Sequence, residues 1–149
     1  MVLKLTREQR EGMLAQPYVG VLSVAGEDGR APLTAPIWYD YRPGGLLTVL
    51  TARVARKARL IEAAGRFALC VQETSTPYRY VTVEGPVAEI RPVTEEDRLA
   101  MATRYVPDEF VAAYLESTRE DQAGMVAISM RPDRWNTADF ADLVEQLSV

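Results

Sequence analysis

Apolar and polar positions along the chain alternate in some stretches and recur at helical spacing in others, with turn residues between them. Thr6-Arg-Glu-Gln9 has the spacing of a helix capping box, and Leu5, Met13 and Leu14 supply an apolar side. A first helix of about ten residues is therefore expected, ending before Pro17. Residues 18–25 form a β-branched and aromatic run, and Gly26-Glu-Asp-Gly29 turns it into a second run over residues 31–41, which together predict a hairpin. Arg42-Pro-Gly-Gly45 is the next turn, and residues 46–51 predict a third strand. From Ala52 the β-branched density falls, and Ala, Arg and Leu take over as far as Gly65, which is placed to cap a helix C-terminus.

Residues 67–73 return to strand character, Thr74-Ser-Thr-Pro77 is a polar loop, and residues 78–90 predict a fifth strand with Gly85-Pro86 as a bulge or bend. Thr94-Glu-Glu-Asp97 opens an acidic-capped helix, and a short helical stretch is expected near Phe110. Residues 125–130 give the last strand, and a small helix is expected in the tail after Trp135. Six strands joined mostly by hairpin-like turns predict a mainly β protein, an antiparallel barrel with peripheral helices rather than βαβ repeats. The acidic stretch 116–122 is expected to be a solvated loop. At 149 residues and 48% hydrophobic content, one domain over residues 1–149 is expected.

Composition then removes several chemistries. The chain has no His and one Cys, so it cannot build Ser-His-Asp, Cys-His or histidine-ligated metal sites, nor an internal disulfide. Cys70 lies in an apolar strand run, where it reads as a small hydrophobe. A net charge of −4 argues against a broadly basic nucleic-acid surface, and the short apolar runs predict no membrane span and a cytoplasmic protein. The nine glycines form neither a dinucleotide fingerprint nor a phosphate loop, and the paired acids are explained by capping and solvation. No catalytic residue and no metal ligand is assigned.

One cationic feature stands out. Arg53, Arg56, Lys57, Arg59 and Arg66 against Glu62 give a local excess of four positive charges in a chain that is otherwise strongly acidic. A helix beginning near Arg53 would put Arg53, Arg56 and Lys57 at its N-terminal turn, where the macrodipole disfavours cations unless an anion is held there. Thr51 would add a hydroxyl donor. The stretch reads either as a phosphate or polycarboxylate cradle or as a solvated basic face. Of 17 basic residues only Lys4 and Lys57 are lysine, which sets Lys57 apart chemically. Trp38, Tyr39, Tyr41, Tyr78 and Tyr80 could flank a planar cofactor, or could pack in the core or an interface.

Residues 19–24, the run 28–39 ending in Trp38-Tyr39, Leu47-Thr-Val-Leu-Thr51, Arg56-Lys-Ala-Arg59 and Val83-Glu-Gly85, in that order, resemble the pyridoxamine 5'-phosphate oxidase-like split β-barrel family. Within it the pattern is most similar to the flavin/deazaflavin oxidoreductases that include binders of coenzyme F-420. The resemblance spans about residues 10–140 and implies a homodimer of six-stranded split barrels with cofactor sites along the interface. It further implies that Thr51, Arg53, Arg56 and Lys57 hold the cofactor phosphate, that Pro36, Ile37 and Trp38 line the ring system, and that Tyr78 approaches the site. The family usually has Asn-Leu where this chain has Leu60-Ile61. Oxidation of pyridoxamine phosphate is not implied, because the Arg-x-His element of that enzyme corresponds to Arg134-Trp135-Asn136.

The expectation is an oxidoreductase using reduced F-420 to transfer hydride to an unsaturated or quinone-like small molecule, with the chemistry supplied by the cofactor. An FMN-dependent oxidoreductase on the same fold is the alternative, and a non-catalytic flavin-binding protein is a third. Arg53 and Arg56 favour F-420, whose anionic lactyl-glutamate tail extends beyond its phosphate.

Overall fold

The computed structural model describes residues 2–148. The elements run α1 (Arg7–Leu14), β1 (Gly20–Val24), β2 (Leu33–Ile37), β3 (Tyr39–Tyr41), β4 (Leu47–Ala52), α2 (Arg56–Ala64), β5 (Arg66–Gln72) and β6 (Arg79–Pro92). They continue with α3 (Glu95–Tyr105), α4 (Val111–Ser117), β7 (Met125–Met130), β8 (Arg134–Asp139) and α5 (Ala141–Leu147). Short 3-10 segments precede and follow α4. No helix among the described residues is long and apolar enough to cross a membrane.

All strand pairings are antiparallel, in the order β2-β1-β5-β6-β7-β4-β3, with β8 also on β6. The 14-residue β6 belongs to both halves of this curled sheet. Its first part pairs with β5 and β8, and from Val87 onward it pairs with β7. β7 and β8 thus form one long partner for β6, interrupted at Arg131-Pro132-Asp133 opposite Gly85 and Pro86; the register of β6 itself shifts just beyond, between Val87 and Glu89, rather than at the Gly85-Pro86 pair expected to form the bulge or bend. Arg131 N–H donates to the Pro86 carbonyl at 3.0 Å and Asp133 N–H to the Glu84 carbonyl at 2.9 Å, which carries the ladder through the corner. A Cβ at residue 85 would lie 1.8 Å from the Arg131 carbonyl oxygen, so only glycine fits.

Alternation sets the core. Leu22, Leu47, Val49, Leu69, Val71, Val81, Val83 and Ile128 point inward, and Leu14 of α1 and Ile61 of α2 close the interior. Both capping boxes form, Thr6 with Gln9 and Thr94 with Asp97, and Gly65 ends α2 at φ 74°. Arg91 of β6 holds the Asp97 carboxylate at the start of α3 through two guanidinium nitrogens. That pairing, helped by Thr94, keeps the Asp97 carboxyl well below its ordinary value, at about 2.

Two features depart from the expected six strands. The run 31–41 is two strands, because the chain leaves the β1 edge at Trp38 and joins the β4 edge at Tyr39. Residues 134–139, expected to lead into a helix, form β8 instead, and the tail helix begins only at Ala141. β8 carries polar residues on much of its length, so its strand character comes from pairing with β6 rather than from an apolar pattern.

Gly85→Ala is expected to destabilise the fold by about 3 kcal/mol or more, through overlap with backbone that cannot yield. Gly12→Ala, in α1 with open space around it, should instead stabilise by roughly 0.5–1 kcal/mol, and urea denaturation of the two variants checks both signs. Because folding lowers the Asp97 carboxyl, its contribution is complete above about pH 4 and fades as pH falls towards 2. Asp97→Asn should therefore cost on the order of 1–2 kcal/mol near neutral pH and progressively less in acid, as read from denaturation curves across that range.

Candidate functional site

Trp38 occupies the single position between β2 and β3 and swings out of the sheet. Its indole stacks on Tyr105 of α3 at 4.9 Å between ring centroids and 9° between planes, and Tyr114 of α4 lies 6.0 Å away. Tyr105 is itself fixed, since its hydroxyl donates to the Tyr18 carbonyl at 2.8 Å and accepts from the Tyr39 N–H at 3.2 Å. Next along α3, Arg104 donates to the Ala15 and Gln16 carbonyls at the C-terminal end of α1 and lies over the Tyr39 ring. The Tyr39 hydroxyl donates to the Leu14 and Gln16 carbonyls from a buried position, and burial pushes its ionisation upward. α3 is thereby anchored to the barrel on the side from which its aromatic ring supports Trp38.

Beside this stack lies a cavity of about 540 Å3. Val19, Pro36, Ile37, Trp38, Leu50, Met101 and Met125 make its wall largely apolar. Arg98, Tyr114, Thr118 and Asp121 contribute its polar groups. Arg98 is buried and already engaged, donating to Glu95 and to Thr118 at 2.8 Å each and to the Leu115 carbonyl. It holds α4 in place, and Glu95 compensates its charge. Asp121 belongs to the acidic stretch expected to be solvated, and it is exposed while also bordering the cavity.

The second part of the site begins where β4 ends. Leu47, Val49 and Thr51 face the core, whereas Leu50 faces the cavity, so Thr51 is buried on the side opposite the cavity wall. Arg53 is exposed in the following turn, and its N–H donates to the Gly124 carbonyl at 2.9 Å, next to the wall residue Met125. α2 starts at Arg56 rather than near Arg53, so Arg53 precedes the first turn and does not share a helix face with Arg56 and Lys57. Ala55 offers no side-chain cap, and the first turn of α2 contains no acid. Arg56 Nε and one terminal nitrogen are buried without a hydrogen-bond partner. An unmade buried donor is costly, and an oxyanion reaching this guanidinium would offset that cost.

Of the residues expected from the sequence, Pro36, Ile37 and Trp38 share one cavity wall. Thr51, Arg53, Arg56 and Lys57 lie at the adjoining end of β4 and the start of α2, outside that wall. Tyr78 is 49% exposed ahead of β6 and is not part of the wall. The register Pro36-Val21-Cys70-Thr82 nevertheless puts the N-terminal end of β6 at the same end of the sheet as Trp38. At that end Tyr18 donates to Glu73, which Arg79 also binds and whose carboxyl this pairing lowers. Arg98, Tyr105, Tyr114 and Asp121 were not legible beforehand, because nothing local to α3 and α4 signals that they meet Trp38 across the fold.

No curated protein matches the chain. Among solved structures, an F-420 reductase is similar at 26% identity and a TM-score of 0.62, covering 85% of this chain and 94% of that one. A conserved hypothetical protein from Mycobacterium tuberculosis has a TM-score of 0.74 at 20% identity, over 94% of this chain and 88% of that one. A FAD-binding protein from Mesorhizobium loti has a TM-score of 0.66 at 18% identity, over 93% and 96%. These last two likenesses are of fold alone. The family model described as pyridoxamine 5'-phosphate oxidase matches residues 5–139, and the chain belongs to that family.

Proposed function

We propose that this protein is an oxidoreductase that binds reduced coenzyme F-420 and uses it to reduce an unsaturated or quinone-like small molecule. The observation that carries this reading is the pair of unpartnered Arg56 nitrogens at the uncapped start of α2. A phosphate would be held there by the Arg56 and Lys57 side chains at the positive end of the helix dipole, with Arg53 free to reach an anionic extension beyond it. When bound, the reduced deazaflavin would supply the hydride. The chain's own part is to bind, orient and keep water away: Pro36, Ile37 and Trp38 offer a flat apolar wall, and Tyr105 holds the indole rigid. The similarity to an F-420 reductase supports the choice of cofactor.

One observation favours FMN as the second reading. Arg53 stands outside the helix, so the cradle proper has only Arg56 and Lys57, enough for the single terminal phosphate of FMN.

A homodimer belongs to the same proposal. The register rows Pro36-Val21-Cys70-Thr82-Asn136 and Thr34-Ser23-Ala68-Glu84-Arg134 lie on the outer face of the sheet, and the uncharged first row includes Val21 at 40% exposure. Val19, 55% exposed, and Pro36 belong both to this face and to the cavity wall, so a second copy seated there would complete the site. The single cysteine, unpaired, suits a cytoplasmic setting.

Titration with F-420 and separately with FMN, followed by Trp fluorescence, should give saturable binding of F-420, and binding of FMN alone would replace the first reading by the second. Arg56→Gln should weaken cofactor binding about tenfold or more while leaving the thermal midpoint of the free protein unchanged or raised, since an unsatisfied buried cation is removed. A large fall in that midpoint with unaltered affinity would make Arg56 structural. Light scattering at micromolar concentration should give a dimer that Val21→Asp dissociates, and a monomeric parent protein would contradict the shared site.

A further inference from the structure

A second cavity, about 320 Å3, shares no lining residue with the first. α1 supplies Arg7, Arg10 and Glu11 to it, the corner between β7 and β8 supplies Arg131 and Asp133, and Trp135 of β8 forms one side. Each carboxylate on it has one arginine partner. Glu11 pairs with Arg7 at 3.4 Å, and Asp133 pairs at 2.9 Å with Arg66, which is not among the residues lining the cavity. Arg10 and Arg131 have no ion-pair partner among the described residues. The Arg10 guanidinium lies 4.6 Å above the Trp135 ring, and its Nε is buried without a hydrogen-bond partner.

Stacking on an indole fixes the plane of a guanidinium and leaves its edge to bind in-plane acceptors. A second guanidinium without an ion-pair partner on the same cavity gives two forks of donors, and the arginines that line it, Arg7, Arg10 and Arg131, outnumber its carboxylates, Glu11 and Asp133. The complement of that arrangement is an oxyanion, which accepts paired N–H donors from arginine. We propose that this cavity is a second anion site, taking a small molecule with a phosphate or polycarboxylate group between Arg10 and Arg131 and its remaining atoms against Trp135. Its volume is at the small end of ligand cavities. The site is independent of the cofactor reading, since it uses neither α2 nor the Trp38 wall.

The test follows the indole N–H resonance of Trp135, assigned by its loss in Trp135→Phe, while the full-length protein is titrated with inorganic phosphate and, separately, with citrate. A saturable shift with either anion is expected, and the anion that produces it identifies the oxyanion class. Arg10→Gln and Arg131→Gln should each weaken the response about tenfold, and Arg56→Gln should leave it unchanged. Arg131 is exposed, so Arg131→Gln keeps the test decisive if Arg10→Gln perturbs α1. The proposal is overturned by a resonance that neither anion moves, by an undiminished response in Arg131→Gln, or by a response lost in Arg56→Gln.

Discussion

The contact of Gly85 with the Arg131 carbonyl is the constraint on which the fold depends. One strand, β6, serves two half-sheets, and it can do so only if its backbone and that of the β7–β8 corner come together without a side chain between them. Pro132 suits that corner because it has no N–H to leave unpaired, while Arg131 and Asp133 keep the ladder hydrogen-bonded on either side. Once β6 is bent, β7 is carried to β4, and β4 in turn to β3. The chain must then pass from the β1 edge to the β4 edge within a single residue, and that residue is Trp38. The position of the aromatic wall is thus a consequence of the bend.

Helices contribute by fixing what the sheet leaves loose. α3 is fastened at its start by the Arg91–Asp97 pair and at its end by Arg104 and Tyr105, which bind α1 and the β2–β3 crossing. An apolar wall held at several points loses little order when a flat ligand arrives, and such preorganisation favours tight binding. The start of α2 is the opposite case, a place where the fold leaves donors unsatisfied. The first turn of α2 holds Arg56 and Lys57 and no acid, and an anion would offset those charges at the positive end of the helix dipole.

Much of this was legible in the sequence where the signal is local. The spacing of Thr6 and Gln9, the acidic opening at Thr94 and the glycine at residue 65 each report on backbone within a few residues, and each marks a helix boundary that the structure has, whereas the register shift of β6 falls beyond Gly85-Pro86, between Val87 and Glu89. The split at Trp38 did not show, because residues 31–41 read as one β-rich run and only the change of pairing partner divides it. β8 did not show because its alternation is polar and its order comes from β6. The start of α2 lies three residues beyond Arg53, a boundary the sequence hides because Arg and Ala continue across Val54 and Ala55 without a capping residue to mark it. In the site, Pro36, Ile37 and Trp38 were expected from resemblance and do share a wall, whereas Arg98 and Tyr105 reach it through tertiary contacts that no spacing encodes.

In the proposed function the cofactor phosphate is held at the start of α2 and the ring system lies against Trp38. A crystal structure of the protein with F-420 tests both statements at once. The phosphate is expected within hydrogen-bond distance of the Arg56 guanidinium and the Lys57 ammonium, with the deazaflavin ring facing Pro36, Ile37 and Trp38. A phosphate bound elsewhere, with the Arg56 nitrogens still unpaired, would contradict it.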